Sequence, residues 1–208
     1  MSAMEFFEQC AGRWYSRRVS HHLAFRRQEK GHSEITITCL PATEPTVIAL
    51  CELHQIAPER ASGGALVTWR GALQGDNNNH DGRSLMVPVS DAAAGTTGML
   101  LRDLGYAEVV PVAGRYQIEP GNVLMLTTCY NDTESEERFW FTGANVRFRC
   151  SSLKRWGGLS MTTFCSEIRL QEEESLEALP QEQQLMDRLG LQETLVPALS
   201  QSFSAWGG

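Results

Sequence analysis

The 208-residue chain has no cysteines at C-x-x-C spacing, no G-x-G-x-x-G, no G-x-S-x-G, no phosphate loop and no H-E-x-x-H. These absences argue against a zinc centre and against a dehydrogenase, hydrolase or kinase. Basic charge is not in excess: 18 Lys and Arg stand against 25 Asp and Glu, a formal net charge of −7. Sequence-independent nucleic-acid binding needs the opposite balance. No apolar run approaches the length of a bilayer core, and residues 1–10 have neither the basic start nor the apolar core of a secretory signal. The expected address is therefore cytoplasmic. The six cysteines (Cys10, Cys39, Cys51, Cys129, Cys150 and Cys165) are expected to be reduced and mostly buried rather than a disulfide framework. No metal and no resident cofactor is expected.

What is present centres on Gly12 to Phe25, G-R-W-Y-S-R-R-V-S-H-H-L-A-F. Read as a strand, it places Trp14, Ser16, Arg18, Ser20 and His22 on one face, with Tyr15, Arg17, Val19 and His21 on the other. A face that mixes Trp, Arg and His suits a cavity for an anionic, partly aromatic guest. The competing reading is an edge strand with solvated arginines. Before this strand, Ser2 to Cys10 has a Ser cap and apolar residues at helical spacing, which predicts a short helix.

After it, Lys30 to Ser33 reads as a turn and Glu34 to Leu40 as the second arm of a hairpin. Val47 to His54 suits either a strand or a helical crossover. Further strands are expected over 65–73, 84–89, 99–104, 106–112, 114–118, 124–130, 138–141, 144–151 and 159–170. Gly75 to Gly82, 91–98 and the acidic tip 131–137 are the loops between them. About nine or ten short strands at even spacing indicate a meandering antiparallel barrel or sandwich. Residues 1–170 form one domain in this reading. Residues 171–208 are an acidic linker followed by a helix or a mobile tail.

Gly12-x-Trp14 resembles the opening motif of lipocalin-type barrels, where a Trp closes the floor beneath an arginine from a late strand. Arg169 is the partner by position, so Gly12, Trp14 and Arg169 carry structural roles. Arg147 and Arg149 lie two apart and share a face with Asn145 and Ser151. Two adjacent guanidiniums repel unless an anion joins them, and their forks suit carboxylates. Glu137 opens the aromatic strand E-R-F-W-F, either as a tuned carboxylate inside a cavity or as the end of an acidic turn. Trp69 is a core or cavity aromatic. The His21–His22 pair spans both faces, so at most one sees a cavity, and His21 is included in the expected site.

The blocks G-x-W-Y-S-R-R-V-S-H-H-L-A-F, G-G-A-L-V-T-W-R-G, L-L-R-D-L-G-Y-A-E, E-R-F-W-F, N-V-R-F-R and G-G-L-S-M occur in this order between about residues 6 and 170. In them the chain resembles the S-type phycobiliprotein lyases, the CpcS/CpeS family. The resemblance implies an all-β, lipocalin-like or fatty-acid-binding-protein-like up-and-down antiparallel barrel that holds an open-chain tetrapyrrole. The substrate it implies is a phycobilin, phycocyanobilin or phycoerythrobilin, delivered to a cysteine of an apo-phycobiliprotein subunit of the β type. Arg18, Arg147 and Arg149, with His21 and Ser151 nearby, would receive the propionates, Trp69 would pack on the pigment, and Glu137 would hydrogen-bond its pyrrole nitrogens as the catalytic group. A homodimer or a heteromer with a related lyase is the implied assembly, in a cyanobacterial cytoplasm or a plastid stroma. Gly75 departs from the family pattern, which has a second Trp there. The other readings are a non-catalytic bilin carrier and an accessory subunit of a heteromeric lyase.

Overall fold

The computed structural model describes residues 1–73, 80–91, 93–103, 112–130 and 132–171. The chain opens with α1 (Ala3–Cys10), capped reciprocally: Glu5 N–H donates to Ser2 Oγ at 3.2 Å, and Ser2 N–H donates to the Glu5 carboxylate at 2.6 Å. Ten strands follow among the described residues: β1 (Gly12–His22), β2 (Arg27–Leu40), β3 (Gly64–Leu73), β4 (Gly82–Ser90), β5 (Thr97–Arg102), β6 (Val112–Glu119), β7 (Val123–Tyr130), β8 (Thr133–Gly143), β9 (Val146–Arg155) and β10 (Gly158–Arg169). Each pairs antiparallel with its sequence neighbours, and β1 pairs with β10, so the sheet closes into a barrel and leaves no edge. Between β2 and β3 the chain leaves the barrel to form α2 (Pro45–Leu53), with Pro45 at its first turn.

Two cores result. Inside, α1 plugs one end of the barrel: Phe6, Phe7 and Cys10 pack with Trp14, Ile35, Leu100, Leu124 and Leu126. Phe6 and Trp14 both meet the edge of Phe141, with ring centroids 5.4 and 6.0 Å away. Outside, α2 lays Val47, Leu50 and Cys51 on Leu85, Val87, Val89 and Leu101, the outward residues of β4 and β5. Those two strands are thus apolar on both faces, and α2 carries apolar residues to match. That is why Val47 to His54 lacked a clear period.

Two sequence expectations are corrected. Lys30 to Ser33 is not a turn: β2 runs through it, and the hairpin turns at Leu23–Phe25, where Arg26 takes a left-handed φ of 48°. Gly31 is needed for close strand approach, since a Cβ there would meet Leu73 Cδ2 at 2.9 Å and the Ala72 carbonyl at 3.0 Å. The acidic run Thr133–Glu137 is strand rather than loop: its outward Glu134 is paired with Lys154 at 3.0 Å, and Glu136 with Arg138 at 3.0 Å. Gly75, the strand expected over 106–111 and the expected C-terminal helix lie outside the described residues.

Candidate functional site: an arginine-rich cavity

Strand alternation brings Arg18, Ser33, Ile35, Trp69, Met86, Arg102, Leu126, Glu137, Phe139, Arg147, Arg149 and Glu167 around a cavity of about 550 Å³ above α1. That is the size range of small-molecule sites, and the mixture of apolar walls with a few convergent polar groups is typical of them. Among the described residues the lining holds five arginines (Arg18, Arg83, Arg102, Arg147 and Arg149) against two glutamates, Glu137 and Glu167.

The floor is built first. Gly12 has φ of +112°, and Arg169 Nη1 lies 2.9 Å from where a Cβ would stand, so only glycine leaves room for that guanidinium. Arg169 donates to the carbonyls of Ala11 and, at 2.7 Å, Gln9, which ties β10 to the end of α1. Trp14 is fully buried, its indole N–H donates to the Cys10 carbonyl at 2.8 Å, and the guanidinium carbons of Arg169 and Arg147 lie 4.3 and 4.6 Å from its ring centroid. Burial lowers the pKa of Arg169 below that of an ordinary arginine.

Arg147 belongs to this floor. Its side chain is 3% exposed, and its Nε donates to Glu167 Oε2 at 2.5 Å, with Nη2 at the same distance. Glu167, 1% exposed, also accepts from Ser16 Oγ at 3.1 Å. Burial opposes the charge on Arg147, but Glu167 and Cys10 outweigh it and hold the guanidinium pKa above its ordinary value. The expected propionate partner is therefore already charge-balanced from within the chain.

Above the floor lies a looser set. Glu137 Oε2 accepts from Arg102 Nη2 at 3.3 Å, and its Oε1 lies 3.9 Å from Arg149 Nη1. Arg149 also donates to Cys165 Sγ at 3.2 Å and stands 5.8 Å from the Phe139 ring centroid. Nearer the open end, Arg18 donates to Glu29 at 3.1 Å. Trp69 forms part of the wall and lies against Gly82, where a Cβ would fall 2.4 Å from the indole. Gly82 is what lets that ring sit at the wall.

The structure thus brings Arg18, Trp69, Glu137, Arg147 and Arg149 to one cavity. Ser151 shares the inward phase, directly across the sheet from Glu137, but is not among the cavity-lining residues. His21 is exposed on the outer face: the two-residue period that turns Arg18 inward turns His21 outward, which corrects its place in the expected site. Arg102 and Glu167 were missed. Both had a local signal: Arg102 is in phase with the inward Leu100, and Glu167 is in phase with Arg169.

The chain matches the family described as CpeS-like protein over residues 2–170. It is 49% identical to "Chromophore lyase CpcS/CpeS" of Thermosynechococcus vestitus, over 82% of this chain and 93% of that one. It is 45% identical to "Phycocyanobilin lyase subunit CpcS" of Picosynechococcus sp., over 81% and 86%. Its fold superposes with a TM-score of 0.73 on the solved S-type phycobiliprotein lyase CPES from Guillardia theta, at 30% identity, covering 83% of this chain and 95% of that one. With the family match spanning the entire barrel, the chain belongs to the CpeS-like, or CpcS/CpeS, family.

Proposed function

We propose that this protein is a bilin lyase: it binds an open-chain phycobilin and hands it to a cysteine of an apo-phycobiliprotein subunit, where a thioether forms. The observation that carries the reading is the excess of inward arginines over glutamates in an otherwise apolar, aromatic-walled barrel of this family. A phycobilin presents two propionates on a conjugated body with central pyrrole nitrogens. The inward guanidiniums suit the carboxylates, Trp69 and Phe139 suit the flat body, and the carboxylate of Glu137 suits the pyrrole N–H groups.

The chemistry asked of the chain is modest. The acceptor's thiol adds across the ethylidene double bond of ring A: a C–S bond forms, the thiol proton ends on the pigment, and no external electrons are needed. Glu137, by accepting from the pyrrole N–H groups, keeps the pigment protonated and ring A electrophilic toward the incoming thiolate. The barrel fixes one pigment conformation and presents one face, so much of the acceleration is positioning. The nucleophile is the acceptor's cysteine, so no cysteine of this chain need be catalytic. The acceptor is a β-type subunit and the setting a cyanobacterial cytoplasm or plastid stroma; no described helix is long and apolar enough to cross a membrane.

The test is to mix the protein with phycocyanobilin or phycoerythrobilin, then add an apo-phycobiliprotein β-subunit. A red-shifted, sharpened absorbance followed by zinc-fluorescent pigment on the acceptor in a denaturing gel is the expected result. Binding without transfer to any acceptor subunit would leave a carrier. A second reading is favoured by the Picosynechococcus relative, which is named a lyase subunit: the protein works in a heteromer with a related chain. It predicts weak pigment binding alone and restored transfer when that partner is added.

A further inference from the structure

Arg102 ends β5 with its side chain in phase with Leu100, which is 1% exposed inside the barrel, so the guanidinium enters the cavity wall rather than solvent. The side chain is 9% exposed. Its Nη2 edge is engaged by Glu137 at 3.3 Å, but among the described residues its buried Nε finds no hydrogen-bond acceptor. Buried guanidinium donors are rarely left this way, because nothing replaces the water they lose. Arg102 lines the cavity, so its guanidinium borders the ligand space, and a turn of the side chain would bring the sealed Nε to an acceptor held there.

The charges point the same way. At the floor, Arg147 and Glu167 pair one to one. Above them, Glu137 lies between two guanidiniums, those of Arg102 and Arg149. An acceptor at Nε would finish the fork of Arg102 that Glu137 half fills. We propose that Arg102 is a ligand-binding residue that receives a carboxylate of the bound pigment through Nε. Glu137 holds the neighbouring Nη2 of the same edge and so orients the guanidinium. This deepens the lyase reading and rests on it: the bilin's propionate is the acid, and Arg102 does the work first expected of Arg147.

The test compares phycocyanobilin with its dimethyl ester, which keeps the conjugated body and the lactam oxygens but has no carboxylate. Absorbance titration of the full chain gives the acid-to-ester affinity ratio for wild type, Arg102→Gln and Arg102→Lys, with the outward Arg115→Gln as control. Arg102→Gln should lower the ratio about tenfold by weakening the acid alone. Arg102→Lys, which keeps the charge but loses the planar fork, should lower it by less, and Arg115→Gln should leave it unchanged. Should Arg102→Gln fail to fold, the lysine variant carries the test, since its ratio must fall below that of wild type. An unchanged ratio in a folded Arg102 variant, even with both affinities reduced, overturns the proposal and leaves Arg102 a support for Glu137. Wild type that binds neither compound, alone or with a related partner chain added, overturns the lyase reading together with it.

Discussion

Two arginine–glutamate sets sit in one barrel and differ in kind. Arg147 and Glu167 are nearly sealed, with both near guanidinium nitrogens on one carboxylate oxygen at 2.5 Å and Trp14 stacked over the cation. Arg102, Glu137 and Arg149 are also largely buried, yet Glu137 lies 3.3 and 3.9 Å from the two guanidiniums, and one donor of Arg102 has no acceptor among the described residues. A buried pair with every partner in place holds a structure; a buried set with an unfilled position is arranged for something else. The difference teaches that cavity arginines are not interchangeable. Arg147, balanced by Glu167, is built into the floor, whereas Arg102 keeps one buried donor without an acceptor among the described residues.

The largest break of this contrast is at the floor. Glu167→Ala strands the buried cation of Arg147 and should cost roughly 3–5 kcal/mol of stability, read by urea denaturation. Replacing both partners, as Arg147→Met with Glu167→Leu, should recover much of that loss, because no charge is left unpaired. The upper set should respond the other way: Glu137→Gln should reduce covalent transfer about a hundredfold, read by zinc fluorescence on the acceptor, while costing less stability than Glu167→Ala.

Gly82→Ala sharpens the contrast from the wall. The added Cβ would fall 2.4 Å from Trp69, so the indole must move; about 1–3 kcal/mol of strain and an altered pigment spectrum are expected. The smallest effect is chemical. Cys129 and Cys150 are exposed and should label with a thiol reagent in the folded protein, whereas buried Cys10, Cys51 and Cys165 should not. Burial also raises the thiol pKa of Cys10 in the fold. Its neutral form is favoured by folding, so that contribution is complete below the ordinary thiol pKa of 9.0 and is lost as pH rises through the higher folded value. Mass spectrometry of labelled protein between pH 7 and 8 checks the pattern.

Much of the barrel was legible because its cues are local. The alternation Trp14, Ser16, Arg18, Ser20 is inward as the two-residue period requires, and Ser2 marked the cap of α1. Arg147 and Arg149 were visible as neighbours on one face. Their partners were not, because Glu167 reaches Arg147 through the β9–β10 register and Arg102 reaches Glu137 across the barrel interior. Sequence spacing carries no record of such pairings. Gly31 misled for a related reason: a glycine that admits a neighbouring strand looks the same in sequence as one that turns the chain. His21 was misplaced although the alternation itself turned it outward.

The central claim is that the upper set meets the pigment and the floor holds the barrel. Its most direct test is one absorbance titration of phycocyanobilin, run side by side on Glu137→Gln and on the double variant Arg147→Met with Glu167→Leu. The account predicts that affinity falls at least about tenfold in the first and stays within about threefold of wild type in the second. Full affinity in Glu137→Gln, with binding lost in a folded double variant, would contradict it.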